Sequence, residues 1–286
     1  MTALDLHGWD YPSVIDRAIA LRSDDYLDQL WRDPQARVIE IDRNDKIRYP
    51  ICGMRTSGSR QGTIFLGLCE GDPYFARRVY SIDGITYRDP RLSARDYQLI
   101  STALAIWKWQ ESTRYCPQCA HGLVFSSHGY SATCSGCGQE VFPRIDPAVI
   151  VAVLDSDDRL YLAHNRQWVK GRISVLAGYI EAGESAEQAI YREILEESSL
   201  TISAMKYLGS QPWPFPRSFM LAYAALASGE DRVDGDELQW GKWYRRDELR
   251  AEIEKKTITV PPPGSIAHAM VDGWLQSTIT SSLFAL

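Results

Sequence analysis

Three glutamates constrain this chain more than any other residues. Between Gly178 and Leu200, Glu193, Glu196 and Glu197 stand three and four positions apart. On a helix turning about 100° per residue, Glu196 lies roughly −60° and Glu197 roughly +40° from Glu193, so one face carries all three. Like charges at that spacing repel by about 0.2–0.5 kcal/mol per pair when exposed. Ala186, Ile190 and Ile194 form an apolar stripe at i, i+4 and i+8, which gives the same helix a face to bury. Ser185 followed by Gln188 has capping-box spacing and sets a helix over 185–198. A divalent cation offsets the repulsion, because hard cations such as Mg²⁺ take several carboxylate oxygens together with phosphate oxygens. The bland alternative is a solvated acidic face.

The second constraint is a pair of CxxC knuckles, Cys116 with Cys119 and Cys134 with Cys137, separated by fourteen residues. Each knuckle aims two thiolates at one point, and four thiolates close a tetrahedron with no open position. The spacing is that of a zinc ribbon, and such a site is structural, its metal contributing to the folding of the segment. Cys52 and Cys69 are isolated and read as plain core residues.

These two features divide the chain of 286 residues. Residues 1–112 form an N-terminal domain with strand patterns over 38–41, 63–69 and 74–80 and a helical pattern over 96–109. Residues 113–143 are the four-cysteine ribbon. Residues 144–286 carry an apolar run at 148–154, a turn of Asp155, Ser156, Asp157 and Asp158, and a returning strand over 159–163, which reads as a hairpin. Further strand patterns cover 206–209, 218–226 and 239–244, and a closing helix covers 265–276. Strands interspersed with helices indicate an α/β or α+β domain. No stretch reaches 18 uninterrupted apolar residues, so no membrane span is expected. The first thirteen residues show no secretory signal, and a cytoplasmic location follows as the expectation. The net charge of −6 disfavours broad adhesion to nucleic-acid phosphates, so an anionic ligand needs a metal or a local basic cluster.

The stretch 178–200 resembles the Nudix box, Gly-x5-Glu-x7-Arg-Glu-U-x-Glu-Glu-x-Gly-U, where U is a bulky apolar residue. Gly178, Glu184, Arg192, Glu193, Ile194, Glu196, Glu197 and Leu200 match it, and Ser199 stands where the box has its final glycine. That glycine ends the helix in a left-handed conformation, so serine there costs roughly 1 kcal/mol. The resemblance implies an α/β/α sandwich with a mixed sheet and hydrolysis of a nucleoside diphosphate linked to another moiety. It implies Glu193 and Glu197 as main metal carboxylates, Glu196 in support, and the main-chain oxygen of Ala177 as a further ligand. Arg192 would orient a glutamate, and water would attack phosphorus in line with metal assistance.

A second segment, Ser210 to Ser218, alternates three prolines with Trp213 and Phe215. The prolines hold it extended, and a preset aromatic pair suits stacking on a flat heterocycle; a packed aromatic corner is the alternative. With a ribbon before it and the box upstream, it resembles the NADH pyrophosphatase group of Nudix hydrolases, from about residue 88 to 267. That resemblance implies cleavage of NADH or NAD to (reduced) nicotinamide mononucleotide and AMP, removal of NAD caps from RNA 5′ ends, Mg²⁺ or Mn²⁺ as catalytic ion, one structural Zn²⁺ per chain, and a homodimer. It carries over Glu237 as a distal metal-binding or catalytic glutamate. As substrate contacts it carries over Phe142, Tyr179, Gln211, Pro212, Trp213, Pro214, Phe215, Pro216, Arg217, Ser218 and Ala267. Some members use a glutamate between the knuckles, where this chain has Gly129. Arg144 and Arg217 supply local positive charge for a capped RNA. Two other readings stay open: a Nudix hydrolase of ADP-ribose, diadenosine polyphosphates or similar compounds, and a zinc-ribbon binding protein with a silent Nudix domain.

Overall fold

The computed structural model describes Leu4 and residues 13–51, 54–233 and 235–285. Of the two isolated thiols expected in the core, Cys69 is buried and Cys52 lies outside the described residues. The chain forms two compact units, one from residues 13–145 with 213–217 and one from 146–212 with 218–285.

In the first unit the elements run β1 (Ile15–Asp16), α1 (Asp24–Arg32), β2 (Arg37–Asp42), β3 (Met54–Arg55), β4 (Thr63–Cys69), β5 (Asp72–Val79) and α2 (Ala94–Ser112). The five strands make one sheet in the order β1-β4-β5-β2-β3. β2 runs parallel to β5, and the other pairs are antiparallel. Ser93 opens α2 through a capping box with Asp96. Leu99, Ile100, Ala103, Leu104 and Trp107 of α2 are buried against Ile39, Ile41, Ile64 and Leu66 of the sheet. The helix is apolar on nearly all sides because it is a core element rather than a surface one. α1 was not read from the sequence; it buries only Leu27 and Trp31, an i, i+4 pair that packs with Phe65 and Phe75.

The same unit contains the ribbon sheet, β6 (Leu123–Phe125), β7 (Ala132–Cys134) and β8 (Glu140–Val141), paired antiparallel in that order. It also holds residues 213–217. Trp213 and Phe215 pack on its core, with ring centroids 5.2 Å apart. Tyr87 meets them edge-on at 5.8 and 5.3 Å.

The second unit is the mixed α/β domain. Its elements are β9 (Asp146–Leu154), β10 (Leu160–Asn165), β11 (Leu176–Tyr179), α3 (Ala186–Ser198), β12 (Thr201–Trp213), β13 (Ser218–Ser228), β14 (Leu238–Tyr244), α4 (Arg246–Glu254) and α5 (Ile266–Leu275). The strand order is β12-β13-β9-β10-β14, with β11 also paired to β9. β9 is central and buried from Ala148 onward, which explains its unbroken apolar run. It runs parallel to β13 and antiparallel to β11. The hairpin expected over 148–163 pairs only at its base, Leu154 with Leu160. β10 then leaves β9 to pair antiparallel with β14, because β11 takes the rest of the β9 edge.

Helices cover both faces of this sheet. Val149, Val151 and Val153 meet Ala189, Ile190 and Ile194 of α3. α5 also packs on β9 and buries Met270, Val271 and Trp274. The Trp274 indole N–H donates to the Asp158 carbonyl, so the closing helix also pins the β9–β10 turn. α4 escaped the sequence reading because only Leu249 of its nine residues is buried, too little for a periodic signal.

Ser185 caps α3 through the expected box with Gln188. At the other end Ser199 is left-handed, φ 59°. Its N–H donates to Leu195 O and its hydroxyl to Arg232 O at 3.1 Å, so the serine does locally what glycine cannot. Ser199→Val puts a β-branched residue in this conformation and should lower unfolding free energy by about 1–3 kcal/mol. Ser199→Gly should change it by under about 1 kcal/mol, strain relief being offset by a freer unfolded chain. Urea denaturation of both variants checks this; a Val variant as stable as the parent would contradict it.

Candidate functional site

The α3 glutamates are organised by one guanidinium. Arg192 Nε and Nη2 donate to the two carboxylate oxygens of Glu184 at 2.7 and 2.8 Å. Arg192 Nη1 donates to Glu193 Oε1 at 2.7 Å and to Glu196 Oε2 at 3.3 Å, and Nη2 also to the Tyr179 carbonyl at 3.0 Å. The fork geometry allows these contacts at once, which a lysine could not match. The hydrogen bond from Arg192, with the Glu181 N–H, holds the Glu184 carboxyl down at about 2.

Burial raises the Glu193 carboxyl above its usual range, against the pull of Arg192, and nearby Glu196 and Glu237 push it the same way. The side chain lies directly over Gly178: a Cβ there would stand 1.9 Å from Glu193 Cδ. The glycine that opens the box is thus a cradle for the glutamate. Glu197 is buried at 6% exposure, while the Glu196 side chain is 60% exposed. Glu237, just ahead of β14, is held by Asn165, whose Nδ2 donates to its Oε1 at 3.1 Å.

A cleft of about 410 Å³ is lined by Ala148, Ala177, Gly178, Tyr179, Glu181, Arg192, Glu193, Ser218, Met220 and Glu237. It therefore gathers Ala177, Tyr179, Arg192, Glu193, Ser218 and Glu237 from the residues the sequence singled out. Strand register explains the grouping, since Ala148 stands opposite both Tyr179 and Met220. The Tyr179 hydroxyl is 3.0 Å from Ser218 Oγ. Sequence reasoning missed Ala148, Met220 and Asn165; the first two carry no signal except their place in strand patterns.

The other candidates stand apart from this lining. Gln211 is buried: its Nε2 donates to Gly264 O at 2.9 Å and its Oε1 accepts from Ile266 N at 2.8 Å. It fixes the start of α5, in whose first turn Ala267 lies. Pro212 ends the β12 part of this unit, and Phe142, Trp213, Pro214, Phe215, Pro216 and Arg217 belong to the other unit. There the Arg88 guanidinium lies 5.5 Å from the Trp213 ring and Lys108 Nζ 5.5 Å from the Phe215 ring. Phe142 is exposed after β8, and Gly129 lies in the turn between β6 and β7.

Two donor sets are suited to metals. The four thiol sulfurs of Cys116, Cys119, Cys134 and Cys137 lie within 4.8 Å of one another, with Cys116 to Cys137 at 3.8 Å and Cys119 to Cys134 at 3.3 Å. A tetrahedron of 2.3 Å metal–sulfur bonds has edges of about 3.8 Å, so the set fits one thiophilic ion. The N–H groups of Cys137 and Gly136 point at Cys134 Sγ and help hold that thiol down at about 6, which favours the ligating thiolate. Among the described residues this is the only cluster drawn to ligand spacing. Glu193, Glu196, Glu197 and Glu237 are not drawn together so closely, with Arg192 engaging two of them. Their hard oxygens match Mg²⁺ or Mn²⁺ rather than a soft metal. The cleft lining carries Glu181, Glu193 and Glu237 against Arg192 alone, so a phosphate approaches only with added positive charge.

Residues 144–261 match the NUDIX domain family. The chain is 39% identical over 188 residues to "NAD-capped RNA hydrolase NudC" of Mycobacterium bovis (strain BCG / Pasteur 1173P2), covering 62% of this chain and 60% of that protein. It is 36% identical over 193 residues to the protein of the same name from Klebsiella pneumoniae, covering 67% of this chain and 70% of that one. The chain thus spans about three-fifths of the length of its mycobacterial relatives. A crystal structure of a NUDIX hydrolase from Nitrosomonas europaea aligns with 51% of this chain and 97% of that one, at 15% identity and a TM-score of 0.40.

The cradle yields a test. Gly178→Ala should displace the Glu193 carboxylate at little cost in stability, since the obstructing atoms end a flexible side chain. Mn²⁺ affinity by calorimetric titration should fall about 10–100-fold, with a melting temperature close to the parent's. Unchanged Mn²⁺ affinity would mean that Glu193 does not hold the cation from this position.

Proposed function

The chain belongs to the Nudix family, among the relatives of the NudC hydrolases of NAD-capped RNA, and on that premise we propose that it splits the pyrophosphate of NADH or NAD into (reduced) nicotinamide mononucleotide and AMP. Removal of NAD caps from RNA 5′ ends is part of the same proposal. The observation that carries it is the Arg192 hub, which binds Glu184 and holds Glu193 over Gly178 in an acidic cleft that also contains Glu237. A binding protein with a silent domain has no use for so many mutually repelling carboxylates kept together at a folding cost.

In this reading Ala177, through its main-chain oxygen, and Glu193, Glu196, Glu197 and Glu237 hold Mg²⁺ or Mn²⁺. The bound ion supplies charge neutralisation at the pyrophosphate and a more acidic water. Arg192 keeps Glu193 oriented through its 2.7 Å bond to Oε1, and Glu193 lines the cleft. Asn165 holds Glu237, another lining residue, through its 3.1 Å bond to Oε1. Tyr179 and Ser218, joined at 3.0 Å, form a wall suited to a sugar or base. Phe142, Gln211, Pro212, Trp213, Pro214, Phe215, Pro216, Arg217 and Ala267 remain proposed substrate contacts by resemblance. The four cysteines hold one Zn²⁺ with a structural role. The domain partition at 112/113 and 143/144, a homodimer and a cytoplasmic setting complete the proposal; among the described residues no helix is long and apolar enough to cross a membrane.

Incubation of the purified protein with NADH and Mn²⁺, followed by product chromatography, should yield AMP and reduced nicotinamide mononucleotide in equal amounts. Glu197→Gln should lower turnover about 10²–10³-fold, the scale for losing one group that acts on the transition-state charge. Preferential cleavage of ADP-ribose would keep the chemistry and replace the substrate. No cleavage of any dinucleotide would sink the reading. Elemental analysis should find one zinc per chain, lost in Cys134→Ser together with a lower melting temperature; a zinc-free, equally stable parent would refute the structural ion.

A further inference from the structure

A second cleft opens where β10 and β14 meet the loop after β10. It measures about 490 Å³ and is lined by His164, Arg166, Trp168, Lys170, Gly171, Gln239 and Trp240. We propose that this cleft holds the single-stranded RNA chain that follows the cap, and that Arg166, Lys170 and Trp168 are its binding residues. The inference rests on the decapping reading above.

The first argument is charge. The lining carries Arg166 and Lys170 and no acidic residue, on a chain with a net charge of −6. Both cations are exposed, and neither side chain is paired in any salt bridge among the described residues. Arg172 adds a third positive charge beside the cleft, 4.8 Å over the Trp168 ring. Unpaired cations concentrated on an otherwise acidic molecule form a local phosphate site.

The second argument is the company those cations keep. Trp168 and Trp240 line the same cleft, and Trp240 stacks on the His164 ring at 5.7 Å and 24°. Basic groups interleaved with aromatic faces are what a single strand needs, since its bases stack without sequence demand while its phosphates are neutralised. A free inorganic anion has no use for the indoles.

The third argument is rigidity and place. His164 Nδ1 donates to Arg172 O at 2.6 Å, and Thr259 N donates to Gly171 O at 2.8 Å. A Cβ at Gly171 would meet Thr257 O at 2.7 Å, so the loop is clamped by the 257–259 segment and the cleft is preformed. Its near end touches the acidic cleft directly: Arg166 N donates to Glu237 O at 3.0 Å, and Asn165 holds the Glu237 carboxylate. A chain attached to a dinucleotide seated at Glu193 and Glu237 therefore meets basic and aromatic residues as soon as it passes Glu237.

Fluorescence anisotropy with a 3′-labelled, uncapped twelve-nucleotide RNA tests this without relying on turnover. The double variant Arg166→Ala/Lys170→Ala should bind at least 10-fold more weakly, with its log-affinity against log-salt slope reduced by about 1.4, or 0.7 per lost phosphate contact. Trp168→Ala should weaken binding about 10-fold with the slope unchanged. NADH hydrolysis should stay at the parent's rate in both variants, which also shows that they are folded. Parent-like RNA binding by both variants, or no RNA binding by the parent, overturns the proposal. A loss in the double variant but none in Trp168→Ala also overturns it, leaving a patch for any polyanion. If NADH is not hydrolysed at all, the dinucleotide reading fails while the RNA result still stands or falls on its own.

Discussion

The arrangement of the candidate site depends on one charge-assisted network, Arg192 with Glu184 and Glu193. Three glutamates on one helix face repel, and burial of Glu193 and Glu197 makes the repulsion worse. Arg192 engages Glu184 with two nitrogens and Glu193 with a third, which fixes the side chain over Gly178. Glu184 sits before the helix and Arg192 two turns into it, so the pair also ties the loop after β11 to α3. The Arg192 bond to the Tyr179 carbonyl closes the same connection from the strand side. In the proposed reading, a carboxylate fixed in this way has little rearranging to do when a cation arrives, which is how preorganised groups act on a reacting phosphate.

The two donor sets differ in hardness and in what sets their spacing. The thiols draw to 3.3–3.8 Å in their closest pairs because tight knuckles impose it locally. The carboxylates come from a helix and a segment forty residues later, and their spacing is set by packing of α3 on β9 and by the β10–β14 pair. A closed set of soft donors suits a structural ion; an open, acidic, partly exposed set leaves room for phosphate oxygens. The same division runs through the proposed ligand path, where an acidic cleft at Glu237 passes directly into a basic one at Arg166.

Much of this was legible because it is local. The helix over 185–198, its cap and its buried stripe follow from Ser185, Gln188, Ala186, Ile190 and Ile194, and the structure places each as expected. The cysteine cluster follows from two short spacings. The left-handed end of α3 was legible too, but not what makes a serine comfortable there: the acceptor, Arg232 O, is thirty-three residues away. β12 was read as four residues, 206–209, and runs over thirteen, Thr201–Trp213; its exposed and buried positions do not alternate regularly, Lys206 and Tyr207 both being exposed and Leu208 and Gly209 both buried, so the two-residue period that marks a long strand is broken. Asn165 was invisible for the same reason as Arg232: an asparagine declares its partner only when the β10–β14 register is known.

The aromatic-proline segment shows where local reading stops. Its prolines predict an extended, stiff backbone, and nothing in its own residues says which surface Trp213 and Phe215 meet. In the structure Tyr87 meets them edge-on, Arg88 and Lys108 lie over their rings, and the pair joins the core that contains Tyr97 and Leu104. The rings are only partly buried there, so packing and ligand contact are not exclusive uses. A half-buried aromatic held by neighbours on one side loses little entropy when a flat ligand covers the other. Stiffness of the backbone and packing of one ring face act in the same direction: both restrict the aromatic, which is what the proposed contact with a substrate calls for.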